Sequence, residues 1–185
     1  ENILKNPVDR CYQCKKMLFQ NLIEFSKSHN LKYVLDGTNA DDLKTYRPGI
    51  KALRELGVIS PLAELGITKS EVREFAKSLN ISVASRPSAP CMATRLPYNT
   101  EISFELLKNI ERGEEFIKSL GFKVVRLRVH NDIARIEVNK EDLAKLIAEG
   151  DAIIEFLKSL GFVYITLDLE GFRSGSMDIY VNNNK

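Results

Sequence analysis

The spacing of hydrophobic residues changes once along the chain, near Pro97. Before that point, segments with helical spacing alternate with short apolar runs at 32–36 and 81–85, an order that predicts the parallel sheet of an α/β domain. After it, helical stretches flank segments in which apolar and polar residues alternate, an order that predicts a small α+β domain. We therefore place the two domains at residues 1–97 and 98–185.

The second domain is predicted to be an α-β-β-α-β module. Its predicted elements are, in order, a helix over 103–120, strands over 123–130 and 134–138 joined by a turn, a helical stretch over 141–160 and a strand over 163–169. Gly150 is a candidate interruption of the second helical stretch. The sequence of Glu115–Phe122 closely repeats in Glu155–Phe162, which indicates two similar helix–glycine–strand units.

The first helix carries two of the three cysteines. Helical spacing runs from Pro7 to Ser28, and Asn6 before Pro7 predicts a helix start. Cys11 and Cys14 would then lie on one face, with Cβ atoms roughly 5–6 Å apart, so that both thiolates could reach one metal. A second interpretation stays open, because the two cysteines also follow the helical spacing of core residues. That spacing is shared with Leu18, Leu22 and Phe25.

The third cysteine, Cys91, follows a segment that Pro87 and Pro90 are expected to stiffen. It could supply a third ligand to the metal site of Cys11 and Cys14. A structural zinc site or an ordinary iron–sulfur cluster uses four protein ligands. Three thiolates would therefore leave one position open for a reacting group.

A second candidate site follows the apolar run 32–36, in the segment Asp36-Gly-Thr-Asn-Ala-Asp-Asp42. Ligands of open α/β sheets bind at the carboxyl ends of strands, so this loop is a candidate ligand site. The alternative is that Asp36 and Asn39 close a turn and cap the next helix.

A third candidate site lies in the second domain, on the strand 123–130. Arg126, Arg128 and His130 share one face of this strand because side chains alternate with period two. The arginines either lie on a solvated surface or form a clamp for phosphate or carboxylate, which Glu114 on the preceding helix is close enough to join. The histidines show no metal-ligand spacing, and no nucleophile–histidine–acid triad can be assigned.

The composition is that of a folded protein in a reducing compartment. The 185 residues are 44% hydrophobic and 28% charged, with a net charge of +2, which does not favour bulk nucleic-acid binding. Apolar runs stay below the roughly 18 residues of a membrane span, and no signal-peptide pattern is present. The odd number of cysteines argues against a disulfide framework. We expect a cytoplasmic protein.

Together, several motifs resemble one known family. They are Asp9-Arg-Cys-x-x-Cys-Lys15, Asp36-Gly-Thr-Asn-Ala-Asp41, Arg47-Pro-Gly49, Pro61-Leu62, Pro90-Cys91-x-x-x-Arg95 and Leu167-Asp-Leu-Glu-Gly-Phe-Arg-Ser-Gly-Ser176. The family is that of the ATP-dependent sulfur transferases of nickel-pincer cofactor biosynthesis (LarE), in the PP-loop ATP pyrophosphatase superfamily. The resemblance covers nearly the whole chain.

The resemblance implies a fold, an activity and a substrate. The fold is a Rossmann-like adenine-nucleotide hydrolase domain followed by the small α+β domain. The activity is adenylation of a carboxylate of a pyridinium dicarboxylate mononucleotide by ATP with Mg²⁺, after which sulfur replaces oxygen. The superfamily's Ser-Gly-Gly-x-Asp-Ser loop is absent, so we expect the N-terminal part of the nucleotide domain to be missing from this chain. We also expect a homo-oligomer.

The resemblance also assigns the candidate residues. Cys11, Cys14 and Cys91 match a type whose three cysteines hold a 4Fe-4S cluster that binds the sulfide to be transferred. Some other members instead give up the sulfur of the cysteine that corresponds to Cys91. Matching positions further imply nucleotide contacts and substrate contacts. The nucleotide contacts are Asp36, Thr38, Asn39 and Asp41, and the substrate contacts are Glu114, Arg126 and Arg128.

Two other functions remain open. One is a tRNA thiolase of the same superfamily, although the near-neutral charge and the absence of further C-x-x-C motifs argue against it. The other is a non-catalytic domain stabilised by zinc or a cluster. Metal analysis separates them, because iron with labile sulfide supports a thiolase and zinc alone supports a structural role.

Overall fold

The computed structural model describes residues 2–45, 47–86, 90–173 and 175–176. The chain divides into two compact units, one formed by Asp9–Ala89 and the other by Glu1–Val8 with Pro90–Lys185. The division falls close to the boundary that we placed at Pro97, and the family-domain boundaries themselves stay a prediction. Each helix among the described residues is too short or too polar to cross a membrane.

The unit Asp9–Ala89 is mostly helical in its described residues. Its helices are α1 (Arg10–Ser28), α2 (Pro48–Glu55), α3 (Pro61–Glu64) and α4 (Lys69–Ser78), and a 3₁₀ turn covers Ala40–Lys44. Thr68 and Glu71 form a capping box at the start of α4. Helix α2 packs closely on α1 because Gly49 has no side chain: a Cβ there would lie 2.9 Å from Lys15 Cδ and 3.3 Å from the Cys11 carbonyl oxygen.

Three local predictions in the first half of the chain are wrong. Helix α1 begins at Arg10 rather than Pro7, because buried Asn6 adopts φ 51° and donates a hydrogen bond of 2.7 Å to the Pro97 carbonyl. The predicted strand at 32–36 contributes one parallel bridge, between Leu35 and Ile59. The predicted strand at 81–85 forms turns instead. Non-local hydrogen bonds and the lack of a long partner strand among the described residues account for these differences.

Most apolar residues of α1 are exposed in the described structure of this unit, although Phe19 is buried. Leu18 and Phe25 are 50% and 54% exposed, and both Cys11 and Cys14 are exposed as well. The interpretation of these cysteines as core residues is therefore not supported here.

The second unit confirms the α-β-β-α-β order. Its elements are α5 (Phe104–Ser119), β1 (Val125–His130), β2 (Ile133–Val138), α6 (Leu143–Ala148), α7 (Gly150–Ser159) and β3 (Tyr164–Leu167). Strands β1 and β2 form the predicted antiparallel hairpin, and β3 pairs with β2 in parallel, giving the sheet order β1-β2-β3. The predicted break near Gly150 is present between α6 and α7. The chain is therefore mixed α and β, as expected.

One face of this sheet packs on α5 and α7 and forms the main core. Val125, Leu127 and Val129 of β1 are buried there, opposite the arginine face of the strand. Gly113 allows the close packing, because a Cβ at this position would lie 2.8 Å from side-chain atoms of both Leu127 and Leu157. The repeated sequence segments meet in the same region: Phe116 and Phe156 stack with ring centroids 4.1 Å apart.

Truncation of a core isoleucine in this unit should cost much more stability than the same truncation on its surface. Ile117 of α5 is fully buried, whereas Ile147 of α6 is 68% exposed. We expect Ile117→Ala to lower the free energy of unfolding by about 2–5 kcal/mol, and Ile147→Ala to change it by less than about 0.5 kcal/mol. Urea denaturation monitored by circular dichroism measures both. Equal losses in the two variants would contradict this assignment of the core.

Candidate functional site

The first candidate site begins with the cysteine pair on α1. Cys11 and Cys14 are the second and fifth residues of the helix, so they lie one turn apart on one side of it, as predicted. Both thiols are exposed, and neither forms a disulfide. The next residue, Lys15, connects this part of α1 to the second predicted site through an ion pair of 3.4 Å with Asp36.

The Asp36 carboxylate is the centre of a small hydrogen-bonded cluster at the parallel bridge. It accepts hydrogen bonds from the hydroxyls of Ser60 and Thr38, the latter at 2.6 Å. Burial by itself would raise the pKa of Asp36, but the hydrogen bonds from Ser60 and Thr38 and the charge of Lys15 lower it below the usual value. The carboxylate is thus held ionised beside two hydroxyl groups.

The next residues of the predicted nucleotide loop have structural partners. Asn39 is buried and caps the 3₁₀ turn, with its side-chain oxygen 3.0 Å from the Asp41 backbone nitrogen. Asp41 accepts the backbone N–H of Lys69 at 2.9 Å and pairs with Lys44 at 3.2 Å. Asn39 therefore has the capping role that the sequence analysis gave as the alternative to a ligand contact. A nucleotide contact by this loop stays a prediction.

The second unit contains Cys91 and a group of arginines that we call the arginine face. Its members are Arg95, Arg126, Arg128, Arg135 and Arg173. Cys91 is exposed and precedes a short 3₁₀ turn, Met92–Arg95. The Thr94 hydroxyl donates a 2.7 Å hydrogen bond to the Cys91 carbonyl, and the Thr94 carbonyl accepts a 2.8 Å hydrogen bond from Arg128. Cys91 is thereby connected to strand β1 through Thr94. Of the two prolines expected to stiffen this segment, Pro87 lies outside the described residues.

Arg95 and Glu114 form a buried ion pair that joins this turn to α5. Arg95 donates from Nε at 2.6 Å and from Nη2 at 3.0 Å to the two carboxylate oxygens of Glu114. Glu114 is 2% exposed and also accepts the backbone N–H of Leu127 on β1 at 3.0 Å. The predicted residue Glu114 is thus present at the site, but with its oxygens occupied by protein donors.

A chain of alternating charges continues across the sheet from Arg128. Arg128 donates to Glu137 at 2.6 Å, and Arg135 connects Glu137, at 3.1 Å, to Asp168, at 3.0 Å. Arg173 adds a second cation at Asp168, at 3.4 Å. Burial and the neighbouring Arg135 and Arg128 lower the pKa of His130. This histidine therefore adds no positive charge to the face near neutral pH.

Arg126 differs from the other arginines of this face. It is half-buried, donates a 2.7 Å hydrogen bond to the Val125 carbonyl and lies over the Phe172 ring at 5.2 Å from its centroid. Burial, followed by repulsion from Arg95, lowers its pKa from the ordinary value. Among the residues that the structure describes, no carboxylate forms an ion pair with Arg126.

The donor chemistry for a metal is present, although a complete site is not shown. Cys11 and Cys14 fit two thiolate ligands of one metal centre, since both are exposed on adjacent helical turns. Within the described residues, no group of three or more histidine, cysteine or acidic side chains is arranged to hold a metal ion. The participation of Cys91 stays a prediction.

Sequence reasoning missed several residues of the arginine face. Arg95 and Asp168 occur only within longer motifs, and Arg135 and Glu137 are not among the predicted site residues. The period-two pattern Ala134-Arg-Ile-Glu-Val138 places Arg135 and Glu137 on one side of β2, which was an available signal. Their pairing with Arg128 and Asp168 depends on strand register, which local periodicity does not provide.

Comparison with known proteins gives three relatives. The uncharacterized proteins slr1717 of Synechocystis and MJ0830 of Methanocaldococcus jannaschii are 40% and 41% identical over 96% and 94% of the chain. The pyridinium-3,5-bisthiocarboxylic acid mononucleotide synthase of Lactiplantibacillus plantarum is 37% identical over 96% of it. The chain spans 67%, 68% and 64% of the lengths of these proteins, respectively. No protein-family model matches the chain.

The Asp36 cluster should stabilise the protein in a pH-dependent way. Because folding lowers the pKa of Asp36, its contribution is present above the unfolded-state pKa of about 3.9 and is lost as the pH falls through the folded-state pKa. We expect Asp36→Asn to cost about 1–2 kcal/mol near pH 7 and much less near pH 3. Urea unfolding at both pH values measures the difference. Asp132→Asn, in the exposed β1–β2 turn, is the control, and a pH-independent cost for Asp36→Asn would contradict the prediction.

Proposed function

The chain belongs to the family of the uncharacterized proteins slr1717 and MJ0830, and from its similarity to the L. plantarum synthase we propose that it transfers sulfur to a pyridinium mononucleotide. The reaction would be ATP-dependent: adenylation of a substrate carboxylate, release of pyrophosphate and replacement of oxygen by sulfur. The structural observation that supports this proposal best is the connection of Cys91 to Arg128 through Thr94. It brings a sulfur-bearing residue to a face rich in guanidinium groups, which is suited to an anionic acceptor.

ATP and Mg²⁺ would bind near the Asp36 loop. Asp36 is ionised and the loop follows the parallel bridge, which is where α/β domains bind ligands. Thr38 offers a hydroxyl beside the same carboxylate, and Asn39 and Asp41 fix the loop through their capping contacts. A carboxylate and hydroxyl groups are oxygen donors of the type that Mg²⁺ prefers.

The acceptor would bind at the arginine face. Arg126 is the member of this face that forms no ion pair with a described carboxylate, so we assign it the direct contact with an anionic group of the substrate. Glu114 and Arg128 are engaged in buried ion pairs, and we propose that they act as positioning residues for this contact. Of the three residues that the resemblance implies as substrate contacts, Arg126 would thus bind the substrate, and Glu114 and Arg128 would hold the site in place.

The sulfur would come from sulfide rather than from Cys91 itself. We propose that Cys11, Cys14 and Cys91 hold a 4Fe-4S cluster; when bound, the cluster would supply an iron without a protein ligand, which can carry the sulfide. The exposure of all three thiols and the pairing of two of them on α1 support this assignment. A thiolate that is bound to iron is a poor sulfur donor by elimination, which argues against sacrifice of Cys91.

The cluster assignment predicts a common dependence of iron content on all three cysteines. After anaerobic reconstitution of the full-length protein, we expect roughly four irons per chain, as a cluster of this type requires. Cys11→Ala, Cys14→Ala and Cys91→Ala should each lose most of the iron, whereas Gln13→Ala, between the two helical cysteines, should keep it. Full iron content in Cys91→Ala would show that this residue is not a ligand.

The proposed function also predicts repeated turnover. With ATP, sulfide and the mononucleotide acceptor, the reconstituted protein should produce more than one equivalent of sulfurated product, detected by mass spectrometry, and none without ATP. The chain itself should keep its mass, because no cysteine is consumed. Loss of hydrogen sulfide from the chain, mapped to dehydroalanine at position 91, would instead identify Cys91 as the sulfur donor.

A further inference from the structure

The arginine face contains one more positive charge than its partners neutralise. The other four arginines lie 2.6–3.4 Å from carboxylate oxygens, in the pairs Arg95–Glu114, Arg128–Glu137, Arg135–Glu137, Arg135–Asp168, Arg173–Asp168 and Arg173–Glu170. Arg126 has no such partner among the described residues. A half-buried guanidinium without a carboxylate at ion-pair distance favours the binding of an anion, because burial weakens its hydration.

Two contacts orient the Arg126 guanidinium. Nη1 donates to the Val125 carbonyl of its own strand, and the guanidinium lies over the Phe172 ring. The hydrogen bond uses a single N–H of the five that the group carries, and a ring face accepts the cation without competing for its hydrogen-bond donors. The remaining donors are thus available for a ligand while the group stays in one orientation.

Phe172 itself lies on a well-anchored loop. Its backbone N–H donates to the Val138 carbonyl at 2.7 Å, and Gly171 before it adopts φ 73°. A Cβ on Gly171 would lie 3.0 Å from the Val138 carbonyl oxygen, so glycine is needed for this approach. Residues on both sides of Phe172 are fixed to β2, since Asp168 accepts a hydrogen bond from Arg135 and the Ser176 hydroxyl lies 3.4 Å from Glu137.

We infer that Phe172 is a positioning and specificity residue of the acceptor site, where its ring holds Arg126 ready for a carboxylate attached to a flat aromatic ring. This inference rests on the proposed function and extends it to a residue that the sequence analysis does not single out. A preorganised guanidinium loses less conformational entropy on binding than a free one. The aromatic ring of Phe172 also offers an apolar surface next to that cation, which suits a ring-borne carboxylate better than an isolated phosphate.

Two available mononucleotides distinguish a ring carboxylate from a phosphate as the anion that Arg126 binds. Nicotinate mononucleotide and nicotinamide mononucleotide share the phosphate and the pyridinium ring, but only the former carries a ring carboxylate. Calorimetric titration of the full-length protein should show that Arg126→Ala weakens nicotinate mononucleotide about 10- to 100-fold. The same variant should leave nicotinamide mononucleotide nearly unchanged.

Substitutions of Phe172 test the positioning role directly. Phe172→Leu should weaken nicotinate mononucleotide about three- to tenfold, because the cation–π contact is lost, whereas Phe172→Tyr should bind like wild type. In the Arg126→Ala background, Phe172→Leu should have little further effect, since the group that it positions is gone. Phe104→Leu is the matched control, because Phe104 is 74% exposed in the same unit. Thermal melts identify any variant that has lost its fold, and Phe172→Ile, which also removes the aromatic ring, then replaces Phe172→Leu in the comparison.

The outcomes separate this inference from the proposed function. Wild-type affinity in Phe172→Leu, or equal penalties from it with and without Arg126, would overturn the role of Phe172 while leaving Arg126 as the acceptor contact. Equal weakening of both mononucleotides by Arg126→Ala would show that the phosphate is the bound anion, which overturns the inferred carboxylate specificity. If wild type binds neither mononucleotide, the assigned ligand class is wrong. Unchanged affinity in Arg126→Ala would remove the acceptor site from the proposed function.

Discussion

The buried ion pair between Arg95 and Glu114 organises the unit that contains Cys91 and the three-stranded sheet. Two charges are removed from water, a change that is unfavourable unless each finds several partners. Glu114 satisfies this condition with two nitrogens of Arg95 and the backbone N–H of Leu127, so one carboxylate joins a 3₁₀ turn, a helix and a strand. Because that turn directly follows Cys91, the pair also determines where the cysteine lies relative to the sheet.

The same constraint explains the rest of the arginine face. Arginines are tolerated on a packed surface only where acids neutralise them, and Glu137 and Asp168 serve this purpose for three of them. Arg126 is the exception, and it is held by an aromatic ring and a carbonyl oxygen instead. A site that is neutralised everywhere but at one cation is well suited to select an anion, since other groups of the face are already committed to one another.

The helical unit has a different character. Its candidate ligands Cys11 and Cys14 lie on α1, and Lys15 of the same helix forms an ion pair with Asp36. Gly49 allows α2 to pack against that turn, so the motif Arg47-Pro-Gly49 has a packing reason independent of any ligand. Several apolar side chains of α1 are nevertheless exposed in this unit, among them Leu18 and Phe25.

The local periodicity of apolar residues determined several secondary-structure elements of this protein and the positions of some site residues on them. Period two gave the β1–β2 hairpin and the common face of Arg126 and Arg128, and helical spacing gave the cysteine pair on α1 and the break near Gly150. These features depend on neighbours within a few residues. The tertiary structure alone decided that Asn6 bonds to Pro97 instead of starting a helix, that 81–85 forms turns, and which arginines are neutralised. The Asn6 hydrogen bond and the ion pairs join groups far apart in sequence, because such contacts are fixed by packing between elements and leave no local repeat. Residues 81–85 form turns because they have no strand partner among the described residues.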